Sequence, residues 1–188
     1  LALLLICAGY FAFFRGAALP ALAAMCVVTG LGGLGLRQAL IPRFDYAVEM
    51  FHGNSHFGQL QVLENSSRTR RFYLNDFLTQ NTYDPATKKS VSHFTYMLAG
   101  LARVYTTNIQ DVLCIGLGVG IVPMDFARSG ARVDVVEINP AVVGLATKFF
   151  DLDAQKLRLT IHDGRHYLNR CTNKYDAVIL DAFLGDSS

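Results

Sequence analysis

Asp111-Val112-Leu113-Cys114-Ile115-Gly116-Leu117-Gly118-Val119-Gly120 is an apolar run that opens straight into a loop with glycine at every second position. A short apolar run bounded by turn residues reads as a buried strand. Working outward along the chain, the pattern recurs. Val133-Asp134-Val135-Val136 ends at Glu137, Leu157-Arg158-Leu159-Thr160-Ile161 ends at Asp163-Gly164, and Tyr175-Asp176-Ala177-Val178-Ile179-Leu180 ends at Asp181. Helical stretches separate these runs, and strands alternating with helices build a parallel sheet with right-handed crossovers. The expected fold class is therefore α/β, a Rossmann-like domain. Ligands of such open sheets bind outside the carboxyl ends of the strands. The glycine loop, Glu137, Asp163 and Asp181 are expected to share one crevice.

Each of these residue types suits one part of an adenosyl sulfonium ligand. At Gly116, Gly118 and Gly120 a Cβ would keep a ligand away from the backbone. The helix starting near Ile121 adds free N–H groups and a positive dipole end. The third glycine falls one residue early for Gly-x-Gly-x-x-Gly, which favours an adenosylmethionine type of site over nicotinamide or flavin. Close helix–sheet packing is the plainer use of the same glycines. Glu137 suits the ribose 2′- and 3′-hydroxyls. Asp163 suits the adenine amino group, with Gly164 leaving room for the ring, and also reads as the N-cap of a helix over residues 165–169. Asp181 falls where the sulfur would face. A sulfonium leaving group needs little acid help, so the protein's task is to align an attacking amine and take its proton. An alkyl ammonium with a pKa near ~10 cannot attack until it loses that proton. Asp186 is a second candidate for this work.

The rest of the chain is unlike an ordinary soluble domain. Of 188 residues, 52% are hydrophobic and 17% charged, with a mean hydropathy of +0.29. The excess lies at the front, where 1–14 and the twenty residues 17–36 carry no charge. The second run is long enough to span a bilayer as a helix. A secretory signal peptide would need a basic stretch before the apolar run, and there is none. Arg37 and Arg43 follow the run against Arg15 alone before it, so the C-terminal side is expected in the cytoplasm. Gly30-x-Gly32-x-x-Gly35 matches a dinucleotide fingerprint in letters only. It sits inside an uncharged twenty-residue run with Pro42 soon after it, and it reads as helix packing in a membrane. With Leu at position 1 and the last strand close to Ser188, the chain reads as a piece of a longer membrane protein.

Residues 42–88 form a different unit. Gln59-Leu60-Gln61-Val62-Leu63-Glu64 alternates polar and apolar, 65–67 is a turn cluster, and Arg71-Phe72-Tyr73-Leu74 returns. This is a small antiparallel β-unit. Val91, Phe94, Leu98, Leu101 and Tyr105 then recur at helical steps, as one apolar face. The expected organisation is a transmembrane helical segment over 1–41, the β-unit over 42–88 and the Rossmann-like domain over 89–188. A net charge of +2 without a sizeable Lys/Arg cluster gives no reason to expect nucleic acid. Four cysteines without paired spacing and five histidines without ligand spacing give no reason to expect a metal.

The segments 112–120, 136–140, 162–165 and 175–181 together resemble the spermidine synthase (polyamine aminopropyltransferase) family, and a membrane segment in front resembles its membrane-fused members. The resemblance implies transfer of an aminopropyl group from decarboxylated S-adenosylmethionine to a small-molecule amine. It assigns Gly116, Gly118, Gly120, Glu137, Asp163 and Gly164 to the nucleoside and Asp181 to proton acceptance. Gln59, Gln80 and Asp186 are assigned to the substrate, the two glutamines with a one-residue offset. A homodimer is also expected. The chain departs from the family at Val119, where the loop typically carries Asp. Two other readings remain. One is an enzyme, such as a methyltransferase, that uses intact S-adenosylmethionine. The other is a membrane protein that binds a nucleoside without catalysis.

Overall fold

The computed structural model describes residues 29–30 and 47–182, and Tyr46–Ser188 forms one compact unit. The expected membrane segment 1–41 therefore lies outside the described residues, apart from Thr29 and Gly30. Among the described residues no helix is long and apolar enough to cross a membrane.

The β-unit is an antiparallel meander of five strands in sequential order: β1 (Ala47–Ser55), β2 (Gly58–Asn65), β3 (Arg71–Asn75), β4 (Leu78–Asp84) and β5 (Lys89–Ser90). The alternation seen in 59–64 is the pleat of β2, whose Leu60 and Val62 point into the core. β1 escaped the sequence reading because its side chains are half-buried or exposed, so no clean alternation marks it. Two tight hairpins close the end of the meander nearest the α/β part. Ser55 pairs with Gly58 across the β1–β2 tip, and Asn75 pairs with Leu78 across the β3–β4 tip. Asp76 and Phe77, between Asn75 and Leu78, both take positive φ, as a two-residue hairpin turn requires.

The second sheet is parallel, in the order β8-β7-β6-β9, with β6 (Asp111–Ile115), β7 (Arg132–Glu137), β8 (Arg158–Ile161) and β9 (Ala177–Leu180). Its helices are α1 (His93–Tyr105), α2 (Ile121–Arg128), α3 (Pro140–Phe149) and α4 (Gly164–Arg170). The chain runs from β6 outward to β7 and β8, then returns to the other side of β6 as β9. Neighbouring loops after β6 and β9 thus part company, which opens a crevice at the carboxyl end of β6. Val112, Leu113 and Cys114 on β6, with Val135 and Val136 on β7, are almost wholly buried, as expected of strands covered on both faces. That packing surrounds the Cys114 thiol with apolar atoms and pushes it up to about 12, an inert core group.

Helix α1 packs differently from its sequence pattern. Its buried residues are Thr95 and Ala99, with Leu98 and Ala102 partly covered, while Phe94, Leu101 and Tyr105 are exposed. Small residues face inward because α1 lies close against α2. Of the expected stripe, Leu98 packs against the core, while the larger side chains Phe94, Leu101 and Tyr105 stand off it.

The meander is fastened to the C-terminal end of α3. Tyr73 and Tyr83 meet Phe150 edge to face at 6.3 and 5.6 Å. The Tyr83 hydroxyl donates to Asp151 at 2.6 Å, and Arg71 donates to the Phe149 carbonyl at 2.9 Å. Lys88 pairs with the other Asp151 oxygen at 3.2 Å, and together these partners hold the Asp151 carboxyl below the usual range. The two sheets are thereby held in a fixed relation, with the hairpin tips standing over the strand ends.

Candidate active site

Between the hairpin tips and the carboxyl ends of β6, β7, β8 and β9 lies a cavity of about 470 Å³. Gly116, Gly118, Glu137, Asp163, Gly164 and Asp181 all line it. Four stretches spread over some 65 residues thus meet at one place, as the strand-end argument requires. Gln80 also lines the cavity. Gly120 and Gln59 are absent from its lining, and Asp186 lies outside the described residues.

The glycines divide by what a Cβ would meet. At Gly116, φ is +93° and a Cβ would run into the backbone carbonyl of Asp181. At Gly120, φ is +86° and a Cβ would fall 2.5 Å from Leu152 Cδ1. At Gly164 it would fall 2.5 Å from Ile115 Cγ2, so this glycine makes room for the sheet. Only Gly118, φ +55°, has ordinary space around its Cβ position, the nearest atom being Asp181 Oδ2 at 3.5 Å. Gly118 is the position where a side chain would enter the cavity.

Glu137 is buried at the tip of β7 and held by both oxygens. Oε2 accepts from the Leu117 N–H and Oε1 from the Asn139 N–H, each at 2.8 Å. Each carboxylate oxygen keeps a further lone-pair direction. The carboxylate is thus fixed in place by the glycine loop on one side and by its own following turn on the other. Beside it stands Tyr73, whose phenol is raised above its usual range by burial and by the Glu137 charge, and which remains a neutral donor.

Asp163 caps α4, its Oδ1 accepting from the His166 N–H at 2.7 Å, and still borders the cavity. Asp181 follows β9 with its N–H donating to the Ile115 carbonyl at 2.9 Å, which continues the β6–β9 ladder by one residue. Among the described residues no hydrogen bond holds its carboxyl. Burial, and secondarily the charge of Glu137, lift it from 3.8 to about 6. A carboxyl with that pKa is a base at neutral pH and can hold a proton once it has taken one.

The meander supplies a wall that sequence reasoning did not assign: His56, Phe57, Asn75, Asp76 and Asn81, with Phe94 from α1. The Asp76 Oδ1 accepts from the Gln59 N–H at 2.8 Å, locking one hairpin tip to the other. Of these, His56, Phe57, Asn75 and Asp76 fall in the stretches 55–59 and 74–80, whose likeness to the family's opening segments was their signal in the sequence. Among the described residues no group of three or more His, Cys, Asp or Glu side chains could hold a metal. His162 and His166 stack on each other, ring centroids 4.7 Å apart.

Comparison with known proteins fits this geometry. The model of the spermine/spermidine synthase domain matches residues 92–185, half of the chain. A polyamine aminopropyltransferase of Vibrio vulnificus is 34% identical over 110 residues, covering 55% of this chain and 36% of that protein. A polyamine aminopropyltransferase of Clostridium perfringens is 26% identical over 149 residues, covering 74% of this chain and 50% of its own length. The chain thus spans about a third to a half of these curated relatives. Among solved structures, spermidine synthase from Thermotoga maritima superposes with a TM-score of 0.61 at 21% identity, covering 71% of this chain and 47% of that one. This last likeness concerns the fold. With half its length matched by the domain model, the chain belongs to the spermine/spermidine synthase family.

Proposed function

We propose that the protein is an aminopropyltransferase that moves the aminopropyl group of decarboxylated S-adenosylmethionine to a small-molecule amine. The observation that carries this reading is the meeting of Gly118, Glu137, Asp163 and Asp181 around one cavity, in a chain of this family. A cradle in which a Cβ at Gly118 would occupy ligand space fits a nucleoside pressed against the loop backbone. Glu137, with both oxygens already oriented, accepts from the two ribose hydroxyls. Asp163 accepts from the adenine amino group.

The sulfonium supplies a carbon activated for displacement. The amine nitrogen forms the new C–N bond, the C–S bond breaks, and its electron pair stays on sulfur, leaving neutral methylthioadenosine. Asp181 takes the proton that the attacking amine releases. Its two oxygens carry no competing bond among the described residues, and its raised pKa matches proton acceptance near neutral pH. The neutral Tyr73 hydroxyl and Gln80 are donors in the same cavity and orient the acceptor.

A second reading, group transfer from intact S-adenosylmethionine, is favoured by Val119. With valine at this position the loop adds no carboxylate to repel the ligand's own carboxylate. Incubation with each sulfonium compound and an amine separates the two readings. Methylthioadenosine release supports the first, S-adenosylhomocysteine supports the second, and neither product sinks both. The uncharged run 17–36 and the arginines after it support attachment to a membrane with this unit in the cytoplasm, which fractionation tests. A homodimer is expected from the family, and light scattering reads it.

A further inference from the structure

We propose that Ser55 and Asn139 are positioning residues for the nucleoside end of the cavity, their hydrogen bond fixing the β1–β2 tip as the wall over Glu137. The inference rests on the nucleoside site proposed above. Asn139 sits two residues beyond Glu137 and is buried. Each of its polar groups is committed. Its N–H donates to Glu137 Oε1 at 2.8 Å, its Oδ1 accepts from the Ala141 N–H at 3.1 Å as the cap of α3, and its Nδ2 donates to Ser55 Oγ at 2.9 Å. The last bond leaves the α/β part and reaches the meander.

Ser55 is equally saturated. A hydroxyl has one proton and two acceptor sites. Ser55 Oγ donates to the Gly58 carbonyl at 2.8 Å and accepts from the Phe57 N–H at 3.1 Å and from Asn139. One hydroxyl therefore shapes the turn that carries His56 and Phe57 and ties that turn to Asn139. The bonds form an unbroken path from the Leu117 N–H, through the Glu137 carboxylate and Asn139, to Ser55 and the tip. The path's two ends are flanked by residues that line the same cavity: Gly116 and Gly118 beside Leu117, His56 and Phe57 after Ser55. Next to Asn139, Ile138 lines it as well, and with Phe57 it supplies apolar walls suited to a purine face. The strut brings these walls into register with the carboxylate that holds the ribose.

Calorimetric titration with methylthioadenosine tests this. Asn139→Ser keeps a good helix cap but is too short to reach Ser55, and Ser55→Ala removes the hydroxyl. Each is expected to weaken affinity by roughly fivefold, about the effect of one hydrogen bond of ordinary strength. The double variant is expected to be no weaker than Ser55→Ala alone, because both changes cut one strut. Ser55→Thr, which keeps the hydroxyl, is expected to restore binding. Unchanged affinity in both single variants, additive losses, or failure of Ser55→Thr to restore binding would each overturn the proposal. Amide exchange reads the strut without a ligand. The Phe57 N–H should exchange faster in Asn139→Ser while α3 stays protected, and unchanged exchange at Phe57 overturns the proposal. If the unaltered protein binds no methylthioadenosine, the proposed function falls, and the exchange result alone decides on the strut.

Discussion

Replacing Asp181 by Asn removes a charge from the cavity while keeping its shape. In the folded protein this carboxyl stands at about 6 against 3.8 for a free one, first because it is buried and second because Glu137 is near. At about 1.4 kcal/mol per pH unit, that gap amounts to roughly 3 kcal/mol against the native state once the group is charged. Solvent at the cavity mouth screens part of it, so about 1–3 kcal/mol is the expected range. Below pH 3.8 the group is protonated whether the chain is folded or not, and the penalty is absent. It grows as pH rises towards about 6 and is constant above that value. The amide carries no such penalty, and among the described residues there is no hydrogen bond to the carboxyl for it to lose. Urea unfolding of both proteins between pH 4 and pH 8 should therefore show Asp181→Asn within about 0.5 kcal/mol of the parent at the acid end, and more stable by about 1–3 kcal/mol at neutral pH. The other carboxylates titrate in both proteins and cancel in the difference. Equal stability at neutral pH, or a difference that does not vary with pH, would refute the claim that Asp181 is buried and charged beside Glu137.

Other outcomes follow from the same geometry. Transfer should fall on the acid side with a midpoint near 6 as Asp181 takes up its proton, and an activity profile flat through that region would remove it as the base. Gly120→Ala forces a Cβ against Leu152 at positive φ and should cost about 2–4 kcal/mol in urea unfolding. Gly118→Ala should cost the fold about 1–2 kcal/mol, from its φ alone, yet abolish methylthioadenosine binding measured by calorimetry. Equal losses of stability at the two glycines would show that the cavity does not distinguish them. Glu137→Ala leaves the Leu117 and Asn139 N–H groups without their acceptor, so it should both weaken nucleoside binding and cost about 2–4 kcal/mol of stability.

The α/β half was legible in the sequence because each strand is short, apolar and punctuated at its carboxyl end by a residue that faces the crevice. Val112–Ile115 and Val133–Val136 show it most clearly. The individual roles of the glycines were less legible. Spacing alone cannot tell that Gly116 clears the Asp181 carbonyl, Gly120 clears Leu152 and Gly164 clears Ile115, because those neighbours come from remote parts of the chain. The stripe on α1 misled for a related reason: a helix packed through Thr95 and Ala99 hides small side chains that carry little hydropathy signal. The meander wall was legible only through Gln80 and through the family likeness of 55–59 and 74–80. His56 and Asp76 are turn residues and Asn75 ends β3, and only folding the hairpins over the strand ends makes them cavity residues. Ser55 and Asn139, separated by 84 positions, carry no mark of their contact.

A crystal structure of the protein with methylthioadenosine examines the shared cavity itself. The ribose hydroxyls should lie on the Glu137 carboxylate, the adenine beside Asp163, and the sulfur towards Asp181. A nucleoside bound elsewhere, or seated with its sulfur turned away from Asp181, would contradict the assignment of these strand tips to one transferase site.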